Sequence, residues 1–76
     1  MKKVVVYTQP GCGPCMMVKG FLKNKGVEFE ERNIREKQEY YNELINDGYR
    51  TTPVTYVDGK VIAGFDPEKL EKELGL

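Results

Sequence analysis

Apolar and polar positions alternate along the chain with two different periods, which divide it into seven segments. Short β-branched runs are typical of strands, and longer stretches with apolar residues three and four positions apart are typical of helices. The order that this pattern predicts is strand, helix, strand, helix, strand, strand, helix. The predicted segments are residues 3–7, 14–25, 27–33, 36–47, 54–57, 60–63 and 67–74.

The first predicted helix is amphipathic. Cys15, Val18 and Leu22 fall on one face, at the spacing that points an apolar stripe toward a core. Gly26 follows the last turn and suits the left-handed backbone that commonly ends a helix. The helix is therefore expected to lie against the sheet with Cys15 turned inward.

The clearest local signal is the dipeptide Asp58-Gly59 between two strand-like runs. A type I′ turn needs positive φ at both of its central residues, and Asp-Gly suits that turn. Further along, Asp66 is suited to cap a helix and Pro67 to begin it. This part of the chain is therefore predicted to be a hairpin followed by a short helix.

These segments predict one α/β domain that spans residues 1–76. The first strand, the first helix and the second strand form a right-handed unit with parallel strands, and the hairpin adds two antiparallel strands. The expected architecture is a four-stranded mixed sheet with helices on both faces. A chain of 76 residues has room for one modest core of this kind.

The charge balance argues against two classes of partner. The chain has twelve Lys and Arg residues and twelve Asp and Glu residues, so its formal net charge is zero. A neutral protein is poorly suited to nucleic acid or to an anionic membrane surface.

The apolar run near the N-terminus stops at Thr8. This run is too short for a membrane span or a signal peptide. We therefore expect a cytoplasmic protein with no nucleic-acid or membrane partner.

The two cysteines lie in the segment Cys12-Gly13-Pro14-Cys15, between the first strand and the first helix. A disulfide across so short a loop adds little stability through chain entropy, so a structural role is not expected. Two cysteines at this spacing in a cytosolic strand–helix–strand pattern are typical of a redox motif. The sequence therefore predicts a pair that alternates between dithiol and disulfide.

The position of the pair predicts a role for each cysteine. Cysteine reacts as the thiolate, and the N–H groups and dipole of a helix start stabilise that anion. An unperturbed thiol with a pKa of about 8.5 is only about 3% ionised at pH 7. Cys12 precedes the helix and is expected to attack a partner disulfide, while the inward-facing Cys15 resolves the mixed disulfide. Gly11, Gly13 and Pro14 support this helix start, since Pro14 has a preset φ and Gly13 permits close approach by a partner backbone.

A metal site is the main alternative for two cysteines at this spacing. Zinc needs four ligands, and the chain has no histidine and no third cysteine. No metal is therefore expected within one chain, whereas a metal or iron–sulfur cluster shared by two chains stays open. The residue that takes the proton of Cys15 is unassigned. Lys19, one turn beyond Cys15, is interpreted as a solvated helix residue, and a source of positive potential near the site is the less favoured alternative.

Pro53 opens the third predicted strand, a position that suits proline because proline cannot donate to a strand ladder. Only about 5–6% of X–Pro bonds in folded proteins are cis, so the residues alone favour a trans Thr52–Pro53 bond. Tyr7, Tyr49 and Phe65 are candidates to line a partner surface, although strand and loop aromatics more often serve ordinary packing.

Three separate segments resemble the glutaredoxin-like proteins, and among them the NrdH-redoxins, which are small electron donors to ribonucleotide reductase. The segments stand in the order and at the spacing of that family, and the resemblance covers nearly the whole chain. They are Tyr7-Thr8-Gln9-Pro10-Gly11-Cys12-Gly13-Pro14-Cys15, Gly48-Tyr49-Arg50-Thr51-Thr52-Pro53-Val54 and Gly64-Phe65-Asp66-Pro67.

The resemblance implies the thioredoxin fold and a thiol–disulfide oxidoreductase with no cofactor besides its redox-active disulfide. It implies that Cys12 is the nucleophile, that Cys15 is the resolving thiol, and that a cis Thr52–Pro53 bond packs against them. The backbone before Pro53 is expected to pair with the bound substrate as a short added strand. The loop Gly64-Phe65-Asp66 is expected on the same surface.

The chain departs from the glutathione-using glutaredoxins in the motif itself. Those proteins carry Cys-Pro-Tyr-Cys, whereas here Pro14 replaces the tyrosine that flanks glutathione. Gln9 stands where a lysine is common, and Ala63-Gly64 stands in place of Gly-Gly. These differences favour a thioredoxin-reductase-like flavoprotein over glutathione as the electron source. The expected protein is a monomer that reduces protein disulfides, with ribonucleotide reductase as a candidate partner. A glutathione-dependent glutaredoxin and a dimeric iron–sulfur or metal carrier are the alternatives.

Overall fold

Seven elements follow one another in the predicted order. The computed structural model describes residues 2–76, so Met1, the first residue of the predicted domain 1–76, lies outside the described part. Both hairpin strands and the last helix have the predicted bounds, and the other four elements begin or end a short way from theirs. The elements are β1 (Val4–Thr8), α1 (Gly13–Asn24), β2 (Glu30–Asn33), α2 (Gln38–Asn46), β3 (Val54–Val57), β4 (Lys60–Ala63) and α3 (Pro67–Leu74).

The four strands form one mixed sheet in the order β2-β1-β3-β4. β1 runs parallel to β2, with Val6 opposite Glu31, and antiparallel to β3, with Val6 opposite Thr55. β3 and β4 form the predicted antiparallel hairpin. The predicted four-stranded mixed sheet is confirmed.

β1 lies inside the sheet between β2 and β3, and all five of its residues are buried. Successive side chains of a strand point to opposite faces. Val4 and Val6 accordingly pack with α1 and α3, while Val5 and Tyr7 pack with α2. The carboxyl end of β1 then leads directly into the loop that holds the cysteines.

An apolar layer covers each face of the sheet. On one face α1 contributes Val18 and Leu22, and α3 contributes Leu70. On the other face α2 contributes Leu44. All four side chains are fully buried, so the prediction of helices on both faces is confirmed.

β2 begins at Glu30 instead of the predicted Val27. The N–H of Val27 donates to the carbonyl oxygen of Leu22 at 2.9 Å and so takes part in ending α1, with Gly26 between them at φ +71°. Val27 and Phe29 nevertheless pack, half-buried, against the apolar layer next to α1. The apolar character of this segment therefore reflects a packed loop rather than strand pairing.

The turn of the hairpin has the predicted backbone. Asp58 has φ +49° and Gly59 has φ +86°, so both central residues have positive φ. Asp58 also ties the hairpin to the start of the chain, because its N–H donates to the carbonyl oxygen of Lys3 at 3.0 Å. Its carboxylate accepts from the N–H of Lys3 at 2.8 Å.

A polar network holds α2 to the sheet. Arg32 on β2 donates through Nη1 to the Tyr7 hydroxyl at 3.0 Å and to the Glu43 carboxylate at 2.9 Å. The Tyr7 hydroxyl in turn donates to Glu43 at 2.9 Å. Burial and the bond to Glu43 raise the pKa of Tyr7, so its hydroxyl stays protonated near neutral pH. Because the Tyr7 residue is only 5% exposed, it belongs to the packing beneath α2.

The substitution Tyr7→Phe keeps the ring and removes the hydroxyl that this network uses. Loss of that hydrogen bond should lower the free energy of unfolding by about 1 kcal/mol, measured by urea denaturation. Tyr41→Phe is the matched control because Tyr41 is 43% exposed, and it should change the free energy of unfolding by less than about 0.5 kcal/mol. Equal effects of the two substitutions would contradict a role for the Tyr7 hydroxyl in the fold.

Candidate active site

Cys12 is the N-cap residue of α1, with extended backbone at φ −94° and ψ 106°. Its Sγ accepts a hydrogen bond from the backbone N–H of Cys15 at 3.1 Å. α1 begins at Gly13, and Pro14 lies in its first turn, where the missing N–H costs no helical hydrogen bond. The sulfur of Cys12 therefore lies at the positive end of the helix dipole, which stabilises a thiolate.

Cys12 and Cys15 are joined in a disulfide, with their Cα atoms 5.2 Å apart. The two residues differ in access, because Cys12 is half-buried whereas Cys15 is 1% exposed. Cys15 shares the buried face of α1 with Val18 and Leu22, as predicted. A partner can thus approach one sulfur, while the other lies shielded behind it.

The backbone around Cys12 leaves room for a partner. Gly11 has φ +74°, a conformation that other residues adopt only at a cost. A Cβ built at Gly11 or at Gly13 would meet no atom within 4 Å. The positive φ of the turn, and not a crowded neighbour, therefore explains the glycine at position 11. The space over Gly13 is open to a partner.

The Thr52–Pro53 peptide bond is cis, as the resemblance implies and contrary to the expectation from the residues alone. Pro53 itself is buried. The Thr52 hydroxyl donates to Cys12 Sγ at 3.6 Å, and the Thr52 carbonyl oxygen lies 3.7 Å from the same sulfur. The segment before Pro53 is therefore in contact with the accessible cysteine.

Gly64 and Phe65 begin the loop that follows β4. The N–H of Gly64 donates to the carbonyl oxygen of Pro53 at 2.8 Å, which fixes the start of this loop beside Pro53. Phe65 is half-buried, and its ring meets that of Phe21 edge to face with the centroids 6.2 Å apart. Gly64 thus lies beside Pro53, while the Phe65 ring packs against α1.

Asp66 and Tyr7, the other predicted binding residues, make contacts that serve the fold. The Asp66 carboxylate accepts from the backbone N–H of Lys69 at 3.2 Å and caps α3. The Tyr7 hydroxyl is bonded to Glu43 and Arg32 beneath α2. Neither Asp66 nor Tyr7 lines the cleft that contains the two cysteines.

That cleft has a volume of about 300 Å³ and lies between α1, the loop before it and the ends of β1 and β2. Both cysteines line it, together with Lys19 and Glu31. The Glu31 carboxylate accepts from Lys19 Nζ at 2.9 Å and from the Thr8 hydroxyl at 2.8 Å, both at the same oxygen. The bond from Lys19, and that from Thr8, hold the pKa of Glu31 below its usual range.

The sequence pattern did not select Lys19 and Glu31 as site residues. Glu31 lies in a segment whose charged residues suit either face of an exposed strand. The parallel register sets Glu31 opposite Val6, whose side chain faces α1. This register turns the Glu31 side chain toward α1 as well. Lys19 is partly exposed on α1, and its ammonium group is engaged by Glu31.

A second pocket adjoins the cysteine cleft and carries positive charge. It has a volume of about 310 Å³, and Arg35 and Arg50 line it together with Gln38 and Tyr41. Gln9 lines both this pocket and the cysteine cleft. The two arginines were also absent from the sequence prediction, because nothing local in the chain indicates that they approach each other.

Among residues 2–76, no group of three or more His, Cys, Asp and Glu side chains is arranged to hold a metal ion. Over the same range, no helix combines the length and the apolar character that crossing a membrane requires. Both cysteines of the chain are in the disulfide.

Most of the chain is similar in sequence to known proteins. The model of the Glutaredoxin family matches residues 4–62. The glutaredoxin-like protein NrdH of Lactococcus lactis subsp. lactis (strain IL1403) is 38% identical over 69 residues, which cover 91% of this chain and 96% of that protein. Glutaredoxin 3 of Escherichia coli (strain K12) is 36% identical over 67 residues, which cover 87% of this chain and 81% of that protein.

Solved structures show the same fold. The thioredoxin-like protein BC3987 is 43% identical, with a TM-score of 0.88 over 93% of this chain and 99% of that chain. The glutaredoxin-like NrdH-redoxin from Escherichia coli is 27% identical, with a TM-score of 0.86 over 92% of each chain. The predicted thioredoxin fold is thereby confirmed. The chain belongs to the glutaredoxin family, as a thiol–disulfide oxidoreductase that carries electrons.

Proposed function

We propose that this protein is a dithiol electron donor that reduces protein disulfides through Cys12 and Cys15 and is recharged by a thioredoxin-reductase-like flavoprotein. The observation that carries this proposal is the contrast between the two sulfurs at one helix start. Cys12 is accessible, whereas Cys15 is 1% exposed and within one helical turn of it. A pair with this arrangement can form a mixed disulfide with a partner and then release the partner.

In the first step, the Cys12 thiolate attacks one sulfur of the partner disulfide. A bond forms between Cys12 Sγ and that sulfur, the partner disulfide breaks, and its other sulfur leaves as a thiolate that takes a proton from water. The N–H of Cys15, 3.1 Å from Cys12 Sγ, stabilises the attacking anion together with the helix dipole. The Thr52 hydroxyl adds a second donor at 3.6 Å.

In the second step, Cys15 loses its proton and attacks Cys12 Sγ. The Cys12–Cys15 disulfide forms, and the remaining partner sulfur leaves as a thiolate and is protonated. Two electrons have then moved from the dithiol to the partner. Because the two sulfurs are joined in the oxidised protein, this attack needs no diffusional encounter. The flavoprotein must return two electrons before the next cycle.

Two features support a protein as the oxidised partner. The exposed side chains of Met16 and Met17, at 70% and 55%, give the surface near Cys12 an apolar character that suits protein contact. The backbone before Pro53 adjoins Cys12 through Thr52, which supports pairing with an extended peptide, as the resemblance implies. Both features suit a flat protein surface better than a small molecule.

The relatives support the finer assignment of partners. The NrdH-redoxin from Escherichia coli has a thioredoxin-like activity profile, which supports a flavoprotein reductase as the electron source. The resemblance to NrdH-redoxins supports ribonucleotide reductase as one oxidised partner. Dithiol donors of this kind work in a reducing compartment, so the proposal includes a cytoplasmic monomer whose only redox group is its cysteine pair.

One observation favours glutathione as a second candidate for the electron source. Arg35 and Arg50 line a pocket that shares Gln9 with the cysteine cleft. Glutathione carries carboxylates, and the planar fork of arginine pairs well with a carboxylate. Pro14 argues the other way, because it stands where glutathione-using relatives have a tyrosine.

One comparison separates the two electron sources. Insulin disulfide reduction is measured with NADPH and thioredoxin reductase, and separately with NADPH, glutathione reductase and glutathione. We expect steady turnover with thioredoxin reductase and little above background with glutathione, because the motif lacks the tyrosine that flanks glutathione. Activity confined to the glutathione system would overturn the proposed source.

Serine substitutions separate the roles of the two cysteines. Cys12→Ser should abolish turnover, because the accessible nucleophile is lost. Cys15→Ser should retain the first attack and accumulate a mixed disulfide, since no thiol remains to resolve it. Intact-protein mass spectrometry after reaction with a disulfide substrate detects the adduct, and its site is unambiguous because the chain has two cysteines. An adduct that builds up only in Cys12→Ser would reverse the proposed roles.

Arginine substitutions test the glutathione candidate. If glutathione binds in the second pocket, Arg35→Gln or Arg50→Gln should raise KM for glutathione about tenfold, the loss expected for one charge-assisted hydrogen bond. Lys60→Gln on the exposed start of β4 is the control and should leave KM unchanged. If all three variants keep the same KM in the glutathione-coupled assay, the pocket gives no support to glutathione.

A further inference from the structure

One ion pair shares the cleft with the two cysteines. Within residues 2–76, Lys19 and Glu31 are the only charged side chains that line this cleft. Lys19 lies on α1 one turn beyond Cys15, Glu31 lies on β2, and their charged groups meet at 2.9 Å. The Thr8 hydroxyl bonds to the same Glu31 oxygen at 2.8 Å. The pair is therefore fixed from three different elements.

Cys15 lines this cleft although it is only 1% exposed. Its thiol must lose a proton before it can attack Cys12, and burial opposes formation of the anion. Charges near a buried group are also screened less than charges in water. The side chains along the cleft are therefore well placed to change how easily Cys15 ionises.

Lys19 and Glu31 act on a thiol in opposite directions. The ammonium group favours a nearby thiolate, and the carboxylate disfavours it. Glu31 is ionised at neutral pH, because the bonds from Lys19 and Thr8 lower its pKa. The Glu31 carboxylate is too acidic to hold a proton taken from a thiol. The Lys19–Glu31 pair therefore acts through its charges and not as a base.

The remaining charged and titratable groups around the cleft are few. Lys23, on the next turn of α1, adds positive potential at Glu31. Cys12 is the other titratable group in the lining, and β1 contributes the uncharged Thr8. From the side of β3, the uncharged Thr52 contacts Cys12. The dithiol thus shares its cleft with one cation and one anion.

We propose that the Lys19–Glu31 pair is a positioning element for the dithiol. Glu31 and Thr8 hold the ammonium group of Lys19 in the cleft, and the balance of the two charges sets how readily Cys15 becomes a thiolate. The inference rests on the proposed function, because it concerns the step in which Cys15 resolves the mixed disulfide. It gives a role to Glu31, which the sequence pattern did not select, and to Lys19, for which that pattern favoured a solvated position.

Removal of each charge should move the thiol pKa in opposite directions. Lys19→Gln leaves the carboxylate unbalanced and should raise the apparent thiol pKa of the pair by roughly one unit, the low end for a neighbouring charge. Glu31→Gln leaves the ammonium group and should lower the apparent pKa by a similar amount. The double variant should lie near the unsubstituted protein. The measurement is titration of the reduced protein by the ultraviolet absorbance of its thiolates.

The same substitutions should change the rate of resolution. One pKa unit changes the thiolate fraction about tenfold, and the weaker nucleophilicity of a more acidic thiol leaves a net change of roughly threefold. Reduced protein is mixed with dithionitrobenzoate in a stopped-flow instrument at neutral pH. The first thionitrobenzoate released reports attack by Cys12, and the second reports resolution by Cys15. The second phase should slow about threefold in Lys19→Gln and quicken about threefold in Glu31→Gln.

Glu30→Gln is the matched control. Glu30 precedes Glu31 on β2, points to the opposite face of the sheet, and pairs with Arg32 at 2.6 Å. This substitution should change neither the thiol pKa nor the second phase. Shifts of the same sign in Lys19→Gln and Glu31→Gln, or no shift in either, would overturn the proposal. These measurements need neither a reductase nor a protein substrate, so they stand apart from the test of the electron source.

Discussion

The backbone N–H of Cys15 points at Cys12 Sγ because α1 begins between the two residues. This single bond depends on the direction of the helix, and the direction depends on the packing of Val18 and Leu22 against the sheet. β1 supports that packing and also ends at the loop that carries Cys12. The apolar layer thus sets the direction from which the N–H of the helix start meets the accessible sulfur.

Neighbouring residues on β1 show how the strand separates stability from chemistry. Tyr7 turns toward α2, where its hydroxyl joins Arg32 and Glu43. Thr8 turns the other way and bonds to Glu31 in the cysteine cleft. Because side chains alternate along a strand, one residue secures the second helix and the next contributes to the wall of the cleft. A change on the α2 face can therefore alter stability while the cleft keeps its charges.

Features that depend on local backbone preference could be predicted from the sequence. Asp58-Gly59 fits few conformations other than the observed turn, and the Cys12–Cys15 spacing needs only a helix start to bring the sulfurs together. Features that depend on register could not be predicted, because no single residue encodes them. The side to which Glu31 points follows from its pairing opposite Val6. The approach of Arg35 to Arg50 likewise requires segments that are distant in sequence to be folded together.

The composition of β2 has a consequence for the behaviour of the protein at high concentration. β2 lies at the edge of the sheet, so one side of its backbone has no neighbouring strand within the described residues 2–76. Its four side chains are all polar, and charged groups emerge on both faces. Charges along an edge discourage a strand of another molecule from adding to the sheet. Glu31 therefore contributes to resistance against aggregation as well as to the cleft, and the two demands limit what can replace it.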